Sequence, residues 1–308
     1  MAGLNIVKSV ESVTETLTGN TSNIALTKGQ VPENCVPFLT YRIPPAMSSY
    51  SDAYFTDVTI TGTTSDPRLN LYRYDSTSEC YEQLYIVEFN PDEIKVQTGS
   101  FFIDDGFTEG TATISGVNTS KSMLVCKHSS SSHSQTLYNC AVGHAFATAS
   151  GLQFTRGGTA GDISGHYYVI EDLNDNFDVA HFDISMNSAA LDVETPDASN
   201  MYNTMVLGSF AFSSTSASPR YNCMSMYLRT EFSVMLTKDL VGYAHYCSLQ
   251  QITFNVPDSV RMVIRNHLTL AAALGDVYDW ELDEGVAVNL DTSMVHNPIS
   301  CGTNKSNT

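Results

Sequence analysis

Positive charge is scarce in this chain: its 308 residues carry 15 Lys and Arg against 33 Asp and Glu, a formal net charge of −18. A field of that sign repels phosphate backbones and anionic lipid headgroups, which excludes nucleic acid and acidic membranes as partners. Charge of either sign is sparse too, at 16% of residues. Ser, Thr, Asn, Gly and Tyr take its place, the composition of β-rich extracellular and virion proteins. No stretch reaches the roughly 18 apolar residues of a membrane-spanning helix. The opening MAGLNIVKSVESVTETL has no apolar segment leading to a cleavage site, so the expectation is synthesis in the cytoplasm without signal-peptide export. Tryptophan is nearly absent, with Trp280 alone against 16 Tyr and 14 Phe. That argues against a sugar platform built on exposed Trp. Phosphate loops, HExxH, GxSxG and CxxC motifs are missing, so neither an enzyme nor a cofactor is expected and a zinc site is excluded.

What is present is internal repetition. Leu69-Asn-Leu71-Tyr-Arg73, a polar loop and Leu84-Tyr-Ile86-Val-Glu88-Phe89 recur as Leu152-Gln-Phe154-Thr-Arg156, a Gly/Thr loop and Tyr167-Tyr-Val169-Ile-Glu171. Arg73 to Glu88 and Arg156 to Glu171 each span 15 positions, and the copies are offset by 83. The two-residue alternation is that of strands, with Leu69, Leu71 and Arg73 on one face and Leu84, Ile86 and Glu88 on another. Read as a hairpin, the pair sets Arg73 and Glu88 at opposite ends, too far apart to bond. Solvation at two strand ends is then expected, with a pair between repeats or chains as the alternative. Upstream of each pair lies a strand, turn, strand block, and Pro37 marks its strand in the first copy as an edge or bulge.

These signals define an all-β protein of tandem β-sandwich-like modules. The expected division is repeat 1 over 1–92, repeat 2 over 93–172, an acidic connection over 173–203, and a divergent repeat 3 with a tail over 204–308. Gly208-Ser-Phe210-Ala-Phe212, which echoes Gly99-Ser-Phe101, opens the third. One short helix fits Val260, Val263, Ile264, His267, Leu268 and Ala271, with a strand competing for Ser259 to Ile264.

Seven cysteines raise the question of disulfides. A hairpin centred on His133 sets Cys126 opposite Cys140, where a bridge and two reduced thiols are equally compatible with the sequence. Cys223 with Cys247 and Cys35 with Cys80 are further candidate pairs, and Cys301 in the polar tail is the candidate for a link between chains. The Ser-rich loop bearing His128, Ser130, His133 and Tyr138 is the candidate interaction surface, because loops on rigid scaffolds carry recognition. Asp172, Asn174, Asn176 and Asp178 mimic the start of a calcium loop, but Phe177 stands where such a loop needs Gly. An acidic turn is the preferred reading, and no metal is expected.

The ordered set GQVPENCVPFLTYR, LYIVEF, VQTG, ATISGVNTSKSMLV, LQFTRG and HYYVIE resembles the tandem β-repeats of structural proteins of tailed bacteriophages, well over residues 21 to 171 and weakly beyond. Two departures stand out: Tyr74 replaces the Gly after Arg in repeat 1, and Asp172 replaces the closing Phe in repeat 2. The resemblance implies a virion-surface protein, a capsid or tail decoration protein bound to neighbouring virion subunits. A homo-oligomer is expected, a trimer among the options. The alternative it leaves open is a receptor-binding tail fibre or glycan-binding adhesin.

Overall fold

The structure is a computed structural model that describes residues 6–42, 55–74, 79–132, 138–188, 190–194, 203–213, 224–230, 233–238 and 245–255. Among the described residues eighteen antiparallel strands make six three-stranded sheets, two per module. In the first module, β1 (Val7–Leu17), β6 (Cys80–Phe89) and β3 (Cys35–Arg42) form an inner sheet in the order β1-β6-β3. The short strands β2 (Thr21–Ala25), β5 (Asp66–Tyr72) and β4 (Asp57–Thr63) form an outer one in the order β2-β5-β4. Pro37 sits in β3, an edge strand as the sequence requires.

The same plan recurs twice. The second module has β7 (Ile94–Ile103), β12 (Ile163–Asp172) and β9 (Ser122–Ser130) over β8 (Glu109–Thr113), β11 (Gly151–Thr155) and β10 (Gly143–Thr148). The third has β13 (Phe177–Met186), β18 (His245–Phe254) and β15 (Thr204–Phe212) over β14 (Ala190–Glu194), β17 (Ser233–Lys238) and β16 (Met224–Thr230).

Three expectations need correction. The repeated strand pair is not a hairpin: β5 and β6 lie in different sheets, and Leu69 and Leu71 meet Leu84 and Ile86 in one core. The acidic stretch 173–203 is not a connection, because it supplies β13 and β14, which pair with β18 and β17. The third module therefore opens at Phe177, and the Gly208 segment is its third strand, equivalent to β3 and β9 and not to the strand holding Gly99. The proposed helix beyond residue 255 lies outside the described residues.

Each sandwich encloses its own core, with Leu69, Leu71, Leu84 and Ile86 in the first, Leu152, Phe154, Tyr167 and Val169 in the second, and Val234, Leu236, Cys247 and Leu249 in the third. The alternate residues of the inner sheets point the other way. Val36, Phe38 and Val87, then Met123, Val125 and Ile170, then Met205, Leu207 and Ile252 form one further cluster shared by all three modules. These are matching positions on matching strands, so the inner sheets turn their backs to a common centre. Val36 and Val87 are only 0% and 1% exposed although they face away from their own sandwich, which is incompatible with the open rod or arc that tandem sandwiches suggest.

The junctions repeat as well. The N–H groups of Asn90, Leu173 and Asn255 donate to the carbonyls of Ile6, Glu93 and Asn176, closing each module at one end with the same bond. Because the central cluster belongs to no single module, Ile252→Ala should cost about 3 kcal/mol and leave one cooperative unfolding transition. Calorimetry that resolves separate module transitions would contradict this.

Candidate functional site

The repeated Arg and Glu are where the sequence pointed first, and neither is a solvated strand end. Arg73 and Arg156 are 0% and 1% exposed. Each follows the last residues of the central outer strand, where alternation turns it into the sandwich, and its guanidinium meets loop carbonyls. Arg73 donates Nε–H to Gly19 O at 3.0 Å and an Nη2–H to Leu17 O at 2.8 Å. Arg156 does the same to Phe107 O at 2.9 Å and Asp104 O at 2.9 Å. Its remaining N–H groups reach Asn139 O, Thr159 O, Ala160 O and Gly161 O between 2.6 and 3.3 Å. Two loops, 104–108 and 157–162, are thereby fastened to one planar five-donor group.

The charges are balanced differently. Glu82 lies in the first sandwich near Arg73, accepts from Thr56 Oγ1 at 2.5 Å, and is 1% exposed. Burial pushes its carboxyl up to about 7. Gly165 occupies the matching place on β12, and there the six carbonyls do the work.

Glu88 and Glu171 lock the opposite end of each module. Glu88 accepts from Val31 N at 3.3 Å, Ser9 Oγ at 2.9 Å and Lys8 Nζ at 2.8 Å. Glu171 accepts from Asn118 N at 2.9 Å, with Lys95 Nζ at 3.6 Å. Val31 and Asn118 cap the matching 3-10 turns Pro32–Asn34 and Thr119–Lys121. Arg and Glu are thus two separate fasteners, which explains a fixed spacing without a mutual bond.

Asp172 has no cation to hold, since its oxygens face N–H donors. They accept from Asn174 N at 3.2 Å, Asn176 N at 2.5 Å, Asn176 Nδ2 at 2.8 Å and Phe177 N at 3.0 Å. Asn174 and Asn176 donate to Glu93, and Asp178 pairs with Lys121 at 2.7 Å. The calcium resemblance is a module junction. Among the described residues no group of three His, Cys, Asp or Glu could hold a metal.

None of the expected disulfides forms among the described residues. Cys35, Cys80, Cys126, Cys140 and Cys247 are buried and in no disulfide. Cys126 and Cys140 belong to different cores, because the chain leaves β9 at Ser130 and enters the other sheet at Gly143. Cys35 pairs with Glu88 at one end of β6 and Cys80 begins the other end, roughly 27 Å away at the strand rise. Cys223 and Cys301 lie outside the described residues. Burial pushes the Cys35 and Cys80 thiols up to about 12. Iodoacetamide at pH 8 should therefore leave these five cysteines unlabelled in the native chain and label all of them in urea, as peptide mapping would show.

The described residues that flank the Ser-rich loop's centre are not exposed. Ser130 is buried, and His128 belongs to β9, stacked on Phe55 at 4.7 Å with Nε2 2.9 Å from Cys140 O. Tyr138 covers Gly157 and Gly158; a Cβ on Gly157 would fall 1.8 Å from Phe212 O of the third module. That contact is the reason for glycine after Arg156. His133 lies outside the described residues.

The residues that sequence reasoning missed sit between modules. Asp57 on β4 accepts from His166 Nδ1 on β12 at 2.8 Å, and Tyr168 Oη donates to Val58 O at 2.9 Å. In the next contact His144 N donates to Ser209 Oγ at 2.8 Å, while Gln250 bonds both N and O of Leu124 at 2.7 Å. Burial pushes His128 down to about 4, His144 to about 3 and Lys127 to about 8. The Asp57, His166, Tyr168, His128 and Gln250 side chains are thus engaged with backbone or a neighbouring module.

No family model matches the chain, and a search of curated proteins finds none similar to it.

Proposed function

We propose that this chain is a non-enzymatic structural subunit of a tailed-phage particle, a capsid or tail decoration protein exposed at the virion surface and bound to neighbouring virion subunits. The observation that carries the reading is the use made of its charged signature. Arg73, Arg156, Glu88 and Glu171 all serve to fasten loops and turns of the first two of three like sandwiches, which share one core. A scaffold so braced presents fixed surfaces, and binding follows from its outer loops. The small share of charged residues and the phage-repeat resemblance support the same conclusion.

Mass spectrometry of purified particles tests it. Tens to hundreds of copies per virion are expected of a decoration protein. A few copies would favour the receptor-binding fibre, and absence from the particle would end both readings.

A further inference from the structure

Exposed apolar side chains are few and unevenly placed. Five large hydrophobic residues are exposed among the described residues: Tyr72, Tyr74, Phe102, Phe107 and Leu173. Leu173 lies at the junction end. The four aromatics gather at the other end of their modules: Tyr72 closes β5, Tyr74 follows Arg73, Phe102 is the penultimate residue of β7, and Phe107 stands in the loop after it. This is the end where Arg73 and Arg156 hold the loops from beneath.

The hold matters for binding. Phe107 is 62% exposed, yet its carbonyl is fixed by Arg156 and its N–H by Asp104 O at 3.1 Å. Exposed aromatics on loops already immobilised lose little entropy on docking, and aromatic anchors dominate protein interfaces. The same loops expose Asp104, Asp105, Asp162 and Glu109 and carry no exposed Lys or Arg. Asp105 and Asp162 are engaged with backbone N–H groups of Gly161 and Asp105, at 2.7 and 2.9 Å.

We infer that this aromatic and acidic end is the docking face of the chain, and that it takes a protein surface with apolar pockets rimmed by Lys and Arg. The inference rests on the virion reading and names the kind of virion surface involved. Apolar anchors supply the affinity and the acidic rim supplies salt-dependent steering. A glycan would take hydrogen bonds from free polar groups beside a ring, whereas Phe102 and Phe107 have no polar tip and Asp105 and Asp162 are already engaged.

The test uses particles produced without this protein and the purified full-length chain added back, with bound chain measured by sedimentation. Phe107→Ala should weaken binding by about tenfold or more and leave the melting temperature unchanged, since only the backbone of Phe107 is used by Arg156. Tyr74→Ala should weaken it further, and raising NaCl from about 50 to 500 mM should weaken the wild type. Wild-type binding that neither variant nor salt alters would overturn the inference while sparing the virion reading. So would salt-insensitive, Phe107-dependent binding to host surface glycan. Failure of the wild type to bind particles that normally contain it would also overturn the inference, whereas its absence from normal particles removes the virion reading itself.

Discussion

Arg156→Met is expected to destabilise the protein by about 4 kcal/mol, the cost of a buried hydrogen-bond hub and not of a surface charge. Methionine fills much of the aliphatic volume but leaves six backbone carbonyls with lost partners, those of Asp104, Phe107, Asn139, Thr159, Ala160 and Gly161. Arg156→Lys should recover little of this, because one ammonium cannot serve carbonyls lying on several sides of a planar fork. Arg73→Met should cost less at pH 7, since it also removes a cation from beside Glu82, which is then free to stay protonated. Urea unfolding of the three variants gives the ranking. Equal losses for Arg73→Met and Arg156→Met would show that the two hubs are not built as described.

Acidification should destabilise the fold, with a slope that separate side chains set in opposite directions. His128 and His144 remain neutral in the fold down to about 4 and 3, while the unfolded chain takes up a proton on each near 6.5. Stability from these two groups is therefore fully present above pH 6.5 and lost as pH falls below it. Glu82 acts the other way. Its folded value near 7 lies above the ordinary carboxyl value of 4.5, so its contribution is full below 4.5 and lost as pH rises through 7. A tenfold change in proton affinity is worth about 1.36 kcal/mol, so two destabilising histidines against one stabilising carboxyl leave a net loss of about 3 kcal/mol between pH 7 and 4. Glu82→Gln should raise stability at pH 8 and steepen the acid loss, and His144→Gln should flatten it. Denaturation midpoints across pH 4 to 8 decide this, and a Glu82→Gln curve parallel to the wild type would rule out the assignment.

The sequence displayed the all-β class, the repeat and the positions of the two fasteners, because strand alternation and a fixed 15-residue interval survive in one dimension. The partners of Arg156 did not show. Two of them, Asp104 and Phe107, lie about fifty residues upstream, and all are backbone carbonyls, which leave no mark on composition. The third module's start was hidden for a different reason: β13 and β14 expose one face, so Asp178, Asp192 and Glu194 give the stretch the acidity of a linker. Glu82 could have been found. It stands in the inward register of Cys80, Leu84 and Ile86, where alternation alone buries a charge.

The common centre has a consequence for how the chain is made. The first strand cannot pair until the sixth is synthesised, since Val7 lies opposite Phe89. Even then the back of the first inner sheet, with Val36 and Val87, has no lasting cover until Ile252 has emerged from the ribosome. A nascent chain of one or two modules thus carries a bare apolar wall for many seconds at ordinary elongation rates. Folding of this protein should be completed late and nearly all at once, and truncated products should be sticky.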